Sequence, residues 1–409
     1  MSDGLIHIDS CEVCGSKTLE PALDLGKHPM CDDLVEVGND RVCKEYPIEI
    51  LYCPVCATAH QKYQVPKAEL FPSNYHYRSR HTKDVLDGMQ KLVRECEEQI
   101  GSLKGKKVVD IGCNDGSLLG FFRDAGAETY GIEPTGAAKE ANANGHTVWE
   151  EFLTEEIAER FVSKFGKADV ITFTNVFAHI EDLPAVLRAL QTMMHEDTAL
   201  VVENHYLGAV LDRRQFDTFY HEHPRTYSYQ SFAYIADTLG RRIIRAEFPK
   251  RYGGNIRVIM QGKQTGAGHD QFAERKAIEA DFGPRLKKMQ GEIETWKKRK
   301  SAEIDAAFKK YGKLPAKAFP GRSAIPVKLL GLDADTIERV YEKPTSAKVG
   351  HYVPGTRIVI ASDDDFDPAN HDGPILNLAW HIGAEIEGYM RDRGFKGEFI
   401  NIISPSDFE

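Results

Sequence analysis

The sequence predicts an α/β protein in three parts: a small cysteine-rich segment, a central Rossmann-like domain and a second, smaller Rossmann-like domain. Three observations support this prediction. Six of the eight cysteines fall within the first 64 residues. From Lys107 onward, apolar strand patterns alternate with helical patterns, as in a parallel sheet covered by helices. A similar alternation returns after residue 313, and 409 residues exceed what one compact core usually accommodates.

The composition is that of a folded protein with an acidic balance. Hydrophobic residues make up 42% of the chain and charged residues 28%, with a formal net charge of -10. A negative net charge disfavours binding to nucleic acid or to anionic membranes, because the phosphates of both are attracted to positively charged protein surfaces. The first residues carry neither a basic start nor a long apolar run, and no stretch reaches about 18 uninterrupted apolar residues. We therefore expect a cytoplasmic, monomeric protein that binds neither nucleic acid nor membranes.

The central segment, residues 65–262, begins with an amphipathic helix. Apolar residues recur at helical spacing from Val85 to Ile100, which predicts a packed helical lead-in. The pattern then predicts strands at residues 108–111, 129–132, 169–173, 199–203 and 252–260. It predicts helices at residues 118–125, 136–144 and 183–194.

Two further segments follow the central one. Residues 263–312 contain a Lys/Glu-rich helical pattern from about 270 to 310, which we interpret as a spacer whose charges form a solvated face. Residues 313–409 alternate again, which predicts a smaller α/β domain. Its strand candidates are residues 324–330, 357–361 and 398–403, and its long helix candidate is residues 375–392.

Residues 1–64 contain two cysteine pairs that are typical of a metal site. Cys11-Glu-Val-Cys14 and Cys53-Pro-Val-Cys56 each place two thiolates on a tight turn, and four thiolates complete tetrahedral zinc without an open position. We interpret this segment as a zinc-binding domain in which the metal stabilises a segment short of apolar core. The predicted ligands of a structural Zn²⁺ are Cys11, Cys14, Cys53 and Cys56. The alternative is a set of four buried free cysteines.

The stretch from Val108 to Gly116 ends a predicted strand and opens a helix. Its glycines lack the β-carbon that would keep the backbone away from a ligand. Glu133 ends the next strand, where an acidic side chain accepts hydrogen bonds from ribose hydroxyls. Asn114 stands where a dinucleotide-binding loop has its second glycine, so an adenosyl donor without pyrophosphate is favoured over NAD. We assign this site to Asp110, Gly112, Asn114, Gly116 and Glu133; the alternative is a glycine turn without a ligand.

A second predicted strand end, at residues 172–175, adds candidates for the same pocket. Ligands of open α/β sheets bind at the carboxyl edge of the strands, where Asn175 would lie. We add Asn175 to the donor site and His179 to the pocket. The alternative for His179 is a helix cap or a core histidine.

The densest group of acid/base residues is Tyr220-His-Glu-His223. Methylation of a carbon requires a base that removes a proton next to a carbonyl, and an imidazole with a pKa near 6.5 does so at neutral pH. A tyrosine hydroxyl or a carboxylate orients that base or stabilises the enolate. From the residues alone, a surface loop is an equally good interpretation.

Together these motifs resemble the nucleotide-sugar C-methyltransferases, which transfer a methyl group from S-adenosylmethionine to a carbon of a 4-keto deoxysugar. The resemblance covers residues 11 to about 260. The matching segments are the cysteine knuckles, Asn74-Tyr-His-Tyr-Arg-Ser79, Ile111-Gly-Cys-Asn-Asp-Gly-Ser-Leu-Leu119, Gly131-Ile-Glu-Pro134, Asn175-Val-Phe-Ala-His179, Gln215-Phe-Asp-Thr-Phe-Tyr-His-Glu-His223 and Tyr252-Gly-Gly-Asn-Ile-Arg257.

The resemblance implies a mechanism and a set of cofactors. His223 would be the base that removes the proton at sugar C3, with Tyr220, Glu222 and His179 around it. A tyrosine from the pair at positions 75 and 77 would join the pocket, and we favour Tyr77. S-adenosyl-L-methionine and structural Zn²⁺ are the implied cofactors, and a nucleotide-linked sugar is the implied substrate.

The third domain departs from the family pattern. Family members carry a Gly-x-Gly-Ala-x-x-Lys-like segment and a later Asp-Asp pair, whereas this chain has Ala318-Phe-Pro-Gly-Arg-Ser-Ala324 and Arg339-Val-Tyr-Glu-Lys343. Because that domain helps to hold the nucleotide in the family, the acceptor stays open. The alternative acceptors are a sugar oxygen or nitrogen and RNA. Two alternatives of other classes are a zinc-containing module that targets nucleic acid, with the methyltransferase-like domain acting on RNA or idle, and a nicotinamide-dependent oxidoreductase on a similar sheet.

Overall fold

The computed structural model describes residues 4–70, 78–81, 83–263 and 268–409. The chain divides into two compact units. The first contains Met1–Glu20, Leu51–Val210 and His223–Gly283, and the second contains Pro21–Ile50, Leu211–Glu222 and Pro284–Glu409. The chain therefore passes from the second unit to the first between Glu222 and His223.

The described strands, numbered along the chain, range from two to twelve residues. They are β1 Ile6–His7, β2 Glu20–Pro29, β3 Val35–Glu36, β4 Glu45–Cys53, β5 Thr58–Gln61, β6 Tyr63–Gln64, β7 Lys107–Ile111, β8 Glu128–Ile132, β9 Thr147–Trp149, β10 Ala168–Thr174, β11 Met194–His205, β12 Arg225–Thr226, β13 Arg241–Glu247, β14 Asn255–Lys263, β15 Leu314–Lys317, β16 Ile337–Glu342, β17 His351–Tyr352, β18 Ile360–Ser362, β19 Ile375–Asn377 and β20 Phe399–Asn401.

The described α-helices are α1 Lys67–Leu70, α2 Lys83–Ile100, α3 Ser117–Asp124, α4 Ala137–Ala143, α5 Glu155–Phe165, α6 Leu183–Met193, α7 Leu207–Asp212, α8 Tyr229–Thr238, α9 Phe272–Ile278, α10 Phe282–Tyr311, α11 Ala324–Leu329 and α12 Gly383–Asp392. No helix among these described ranges has an 18-residue window apolar enough to cross a membrane.

The first unit is organised around one large sheet. Its described strands lie in the order β13-β14-β11-β10-β7-β8-β9. β7 to β11 are parallel, and β14 is antiparallel to both β11 and β13. The chain starts at β7, moves outward to β9 and returns to β10, so the order reverses between β7 and β10. Ligands of open sheets bind at the carboxyl ends of strands at such a reversal.

The core of this unit explains why the lead-in helix forms. Val85, Met89, Leu92, Val93 and Cys96 lie at helical spacing on α2 and are all buried. They pack in one cluster with apolar side chains of α3 and of strands β7, β10, β11 and β14. α2 is therefore a packed part of this unit, as the periodicity predicted.

The cysteine-rich residues are divided between the units. In the first unit β1 pairs with β6, and β5 pairs with β12, both antiparallel. In the second unit β3 pairs with β17. Strands β2 and β4 lie mostly in the second unit; only the first residue of β2, Glu20, and the last three residues of β4 belong to the first unit.

The second unit contains a smaller parallel sheet, which confirms the predicted second Rossmann-like domain. The order is β18-β16-β15-β19-β20, with every described pair parallel. Two predictions within it were wrong. The segment 324–330 contains helix α11, Ala324–Leu329, rather than a strand, and residues 375–392 contain the strand β19 before the helix α12. A short apolar run has no clear period, so a buried strand and a buried helical turn look alike in sequence.

Candidate functional site

The four predicted metal ligands come together in the first unit. Their Sγ atoms all lie within 4.8 Å of one another, with Cys11 3.5 Å from Cys56 and Cys14 3.6 Å from Cys53. Tetrahedral zinc with sulfur bonds of about 2.3 Å requires sulfur separations of about 3.8 Å. The four thiolates therefore fit a closed structural zinc site. The other cysteines of the amino-terminal segment, Cys31 and Cys43, are buried in the second unit.

The donor loop joins β7 to α3 through left-handed backbone. Gly112, Asn114 and Gly116 have φ angles of 69°, 51° and 80°. The sequence argument for the glycines requires a correction, because both approach protein atoms. A β-carbon at Gly112 would lie 2.5 Å from Val176, and one at Gly116 would lie 2.8 Å from the ring of His146. The glycines therefore allow the loop to pack tightly on the protein.

Glu133 supports this loop from the end of β8. Its carboxylate accepts hydrogen bonds from the Asn114 backbone nitrogen at 3.0 Å and from Thr135 at 2.9 Å (backbone nitrogen) and 2.6 Å (Oγ1). A carboxylate offers about four acceptor sites, so these three hydrogen bonds leave about one, on Oε2, for a further donor. Asp110 is buried and accepts from Thr172 Oγ1 at 2.7 Å; burial, and then the Glu133 charge, raise the pKa of Asp110 to about 7.

The segment before α2 also contacts the donor loop, which sequence reasoning missed. The backbone nitrogen of Ser79 donates to Asn114 Oδ1 at 3.1 Å, and that of Arg80 donates to Asp115 Oδ2 at 3.0 Å. The family-like motif that ends at Ser79 was the available signal. Tyr77, the predicted pocket tyrosine, lies outside the described residues, as does its alternative at position 75.

Three histidines meet at the carboxyl edge of the sheet. His179 ends a 3-10 turn after β10, and His205 is the last residue of β11. The ring of His223 lies 4.9 Å from the ring of His179 and 4.9 Å from that of His205. His223 is 3% exposed, whereas the other two are partly exposed. His205 was not predicted; its only signal was its position at the end of a strand pattern.

The same edge links the histidines to the donor loop. Val176 packs against Gly112, and its carbonyl accepts a hydrogen bond from the His179 backbone nitrogen at 2.9 Å. One short segment therefore contacts the donor loop at one end and presents an imidazole beside His223 at the other.

A buried charge network, absent from the predictions, lies beneath this edge. Glu203 on β11 is fully buried and binds Arg251, Arg257 and Asn255 at 2.5 to 2.9 Å. Burial alone would raise the pKa of Glu203, but the two guanidinium groups hold it below its usual range. Asn255 and Arg257 belong to the segment Tyr252–Arg257, which is part of the family resemblance but for which the sequence predicts no role.

This network sets the orientation of Asn175. The Asn255 amide nitrogen donates to Glu203 Oε1 at 2.9 Å and to Asn175 Oδ1 at 3.0 Å. Because Glu203 only accepts, Asn255 must turn its nitrogen toward it. Asn175 therefore uses its oxygen to accept and retains its amide nitrogen as a donor. It lies just past the end of β10, with a left-handed φ of 55°.

The rest of the Tyr-His-Glu-His block belongs to the second unit. His221 is buried and donates from Nε2 to the Tyr46 carbonyl at 3.1 Å, and burial lowers its pKa to about 4. Burial, and then the Glu222 carboxylate, raise the pKa of Tyr220 well above its usual range, so this phenol stays protonated. His221 is thus a neutral core histidine.

The residues just before this block are held by the carboxyl-terminal domain. Asp217 is fully buried; its carboxylate accepts two hydrogen bonds from Arg322, at 2.6 and 2.9 Å, and one from Trp380 Nε1 at 2.9 Å. Arg322 lies in the segment that departs from the family pattern. The departure therefore includes a residue that anchors the acid/base block within this unit.

Three sequence families match successive parts of the chain. A zinc binding domain matches residues 11–71, a methyltransferase domain matches residues 77–246, and a C-methyltransferase C-terminal domain matches residues 250–403.

The chain is also similar to individual proteins. The C-methyltransferase NovU of Streptomyces niveus is 28% identical over 398 residues, which cover 94% of this chain and 93% of NovU. The ubiquinone biosynthesis O-methyltransferase of Acinetobacter baylyi is 29% identical over 105 residues, or 24% of this chain and 43% of that enzyme. The solved structure of magnesium protoporphyrin IX methyltransferase from Synechocystis PCC 6803 with bound SAH is 19% identical, with a TM-score of 0.34, and covers 43% of this chain and 83% of that one.

The sheet with its donor loop, the four-thiolate cluster and the matched families define the class of protein. It is an S-adenosylmethionine-dependent methyltransferase with zinc as its structural metal. The succession of the three matched domains and the similarity to NovU along nearly the whole chain then narrow the class. Both observations support the C-methyltransferase family.

Proposed function

We propose that this protein methylates C3, the carbon next to the carbonyl of a nucleotide-linked 4-keto deoxysugar. The observation that supports it most is the placement of His223. A buried imidazole, flanked by two others and connected through Val176 to the donor loop, is what proton abstraction beside a methyl donor requires.

The residues at the carboxyl edge of β7 and β8 would hold S-adenosylmethionine. Glu133 would accept a hydrogen bond from the ribose, and the loop from Gly112 to Gly116, with Asp110 beneath it, would line the adenosyl group. When bound, this donor supplies a methyl group on a positively charged sulfur. Asn175, which follows the last residue of β10 beside the loop, would face the space between donor and acceptor.

His223 would act as the base. Its neutral imidazole takes the proton from C3, and the electron pair of the C–H bond forms an enolate. The donor loop would hold S-adenosylmethionine so that the enolate carbon could use this electron pair to take the methyl group, which would leave S-adenosylhomocysteine. The proton stays on His223 until it passes to solvent. Holding the two reactants in line and excluding water accelerates this step.

The other predicted residues would stabilise the enolate. The amide nitrogen of Asn175 would donate a hydrogen bond to it, and we retain Tyr220 as a further donor on the resemblance alone. His179 lies beside His223 and would orient it, and Glu222 directly precedes it in the chain. We retain Tyr77 as a further pocket residue on the resemblance alone.

We also propose a division of labour along the chain. Residues 1–64 would form the zinc-binding domain, residues 65–262 the methyltransferase domain, residues 263–312 a spacer and residues 313–409 the nucleotide-binding domain. In the last of these, the strand order reverses between β15 and β19, where open sheets bind ligands. The buried pair of Lys317 and Asp363, 2.9 Å apart, lies at that carboxyl edge.

Product analysis tests the proposal. The protein is incubated with S-adenosylmethionine and a panel of 4-keto sugars linked to different nucleotides. The expected products are S-adenosylhomocysteine and a sugar heavier by one methyl group, with the new methyl on carbon and every hydroxyl retained. A methyl group on oxygen or nitrogen would contradict the carbon methylation while leaving the donor site intact. The same assay with RNA as acceptor is expected to give no methylated product.

A further inference from the structure

We propose that Arg225 is a positioning residue that holds the two segments carrying His179 and His223 in one geometry and fixes both to the zinc knuckle. This inference deepens the proposed function, since the importance of that geometry rests on the role given to His223. Nothing in the sequence pattern singles out Arg225, which lies two residues after the block that carries the acid/base residues.

The side chain of Arg225 is fully buried and bonds in several directions at once. Nη1 is 2.5 Å from Glu12 Oε2, and Nε donates to Tyr227 Oη at 3.0 Å. Nη2 donates to the carbonyl of Ile180, and both terminal nitrogens lie 3.4 Å from the carbonyl of Glu181. Residues 180 and 181 directly follow His179. The Arg225 guanidinium therefore fixes the backbone that follows His179, while Arg225 itself lies two residues after His223.

The backbone around Arg225 gives a second link to the zinc knuckle. Arg225 and Thr226 form β12, which pairs with β5, and the Gln61 backbone nitrogen donates to the Pro224 carbonyl at 2.8 Å. β5 begins two residues after the zinc ligand Cys56. The residues that follow His223 are therefore an added strand on the zinc-binding segment.

Glu12 completes the connection from the metal side. It lies between Cys11 and Cys14 in the first knuckle, so its backbone position depends on the four thiolates being held together. His60, the β5 residue that faces Arg225 in register, lies 3.8 Å from Glu12 and 3.3 Å from Cys11 Sγ. Zinc thus fixes Glu12, Glu12 fixes the guanidinium, and the guanidinium fixes the strand ends that carry the histidines.

Only a planar guanidinium makes all these contacts. Arginine presents five N–H donors in a rigid fork, whereas a lysine ammonium is one point charge with three donors. Arg225→Lys keeps the charge opposite Glu12 but cannot reach the Tyr227 hydroxyl and both carbonyls together. Because a displacement of about 1 Å in a catalytic group costs on the order of a hundredfold in rate, that loss should be measurable.

The chain offers a matched control in Arg241. It is also buried and also donates to two successive carbonyls, those of His195 (2.6 Å) and Glu196. Those carbonyls lie near the beginning of β11, whereas His205 lies at its other end. Arg241→Lys removes a comparable pair of buried guanidinium–carbonyl contacts at the end of β11 away from His205, and Glu12→Gln removes only the charge partner on the zinc side.

The test compares the three variants in the full-length zinc-loaded protein. The 15 histidines are labelled and their ring signals recorded by NMR, with His179→Asn and His223→Asn identifying the two of interest. Zinc content, affinity for S-adenosylhomocysteine and thermal unfolding are measured in parallel. With whichever acceptor the wild-type protein methylates, kcat and KM are determined.

We expect Arg225→Lys to shift the signals of both histidines and to lower kcat on the order of a hundredfold. Zinc content and affinity for S-adenosylhomocysteine should stay within about twofold. Glu12→Gln should shift the same two signals by less, and Arg241→Lys should shift neither. Unchanged histidine signals in Arg225→Lys, or equal shifts in Arg241→Lys, would overturn the inference. The NMR result needs no acceptor, so failure of carbon methylation would show separately, in the product analysis.

Discussion

His221 and His223 are two residues apart in the chain, yet they belong to different compact units and have different neighbours. His221 packs in the second unit, with one ring nitrogen bonded to the Tyr46 carbonyl and its ring at the edge of the Tyr46 ring, 5.8 Å away. His223 packs in the first unit between the rings of His179 and His205. Both are nearly inaccessible, with 2% and 3% exposure. Burial therefore does not distinguish them; the neighbouring groups do.

The difference shows that the block Tyr220–His223 contains one histidine with a structural role and one for which we propose a catalytic role. His221 has a backbone carbonyl as its partner and a pKa of about 4, so it stays neutral and anchors the loop. His223 has the imidazoles of His179 and His205 as neighbours, and His179 follows Val176, which packs against the donor loop; this is the site where we propose that a proton is removed. Four predictions test this division, from the largest expected effect to the smallest.

The largest effect should come from a change to the zinc knuckle, because Glu12 in that knuckle binds Arg225, which follows His223 by two residues. Cys53→Ser removes one of four thiolates, so we expect loss of zinc and of cooperative folding in the first unit, since structural zinc contributes on the order of 10 kcal/mol to small domains. Metal analysis and circular dichroism measure both. Cys43→Ser, in the second unit, is the control and should retain zinc. Full zinc content in Cys53→Ser would show that the cluster is not the metal site.

The next effect separates the two histidines by activity. His223→Asn removes the base, so kcat should fall by about 10² to 10⁴, while zinc content and affinity for S-adenosylhomocysteine stay unchanged. His221→Asn retains an N–H for the Tyr46 carbonyl and should keep kcat within about threefold of wild type, because a neutral anchoring role costs little in rate. Steady-state kinetics of both variants decide it. An equal loss in the two would abolish the distinction.

A third prediction concerns the pH dependence of stability. The unfolded chain protonates residue 221 near pH 6.5, whereas the folded chain resists protonation until about pH 4. The free energy of unfolding should therefore fall as the pH drops from 6.5 to 4, by about 3 kcal/mol from this group. Urea unfolding across this range should show a shallower fall in His221→Gln than in wild type. Parallel curves would mean that His221 does not carry this cost.

The smallest effect should be at the donor loop. Glu133→Gln replaces one of the two carboxylate oxygens, which accept hydrogen bonds from the Asn114 and Thr135 backbone nitrogens, with an amide N–H group that cannot accept them. Because the donor loop loses this support and the ligand loses an acceptor, affinity for S-adenosylhomocysteine should fall about tenfold. Calorimetry measures this directly. Glu156→Gln, on the exposed face of α5, is the control and should bind normally. Unchanged binding in Glu133→Gln would place the donor elsewhere.

Local patterns predicted the parts of the molecule that depend on residues close in sequence. The cysteine knuckles need only two short turns, and the donor loop needs a strand, glycines and a helix start. The α/β class followed from the same periodicity. The error at residues 324–330 arose because Ala324–Leu329 is a short apolar run that packs as a helix, for which periodicity gives no guidance.

Long-range packing decided what could not be predicted. His205 meets His223 because Tyr206, which follows His205, and Tyr227, which lies shortly after His223, form a β-bridge. Arg225 reaches Glu12 from more than 200 residues away in the chain. Glu203 acquires its role only when β14 brings Asn255 and Arg257 beside it. Such contacts depend on strand register, which no single segment of sequence specifies.

The central claim is that His223 removes the C3 proton, and hydrogen exchange tests it most directly. The 4-keto acceptor that the wild-type protein methylates is incubated in D₂O with the protein and S-adenosylhomocysteine, so that no methyl group can be transferred. We predict that the wild-type protein and His221→Asn exchange one C3 hydrogen for deuterium, detected by mass spectrometry and NMR, and that His223→Asn does not. Exchange by His223→Asn at the wild-type rate would contradict the account.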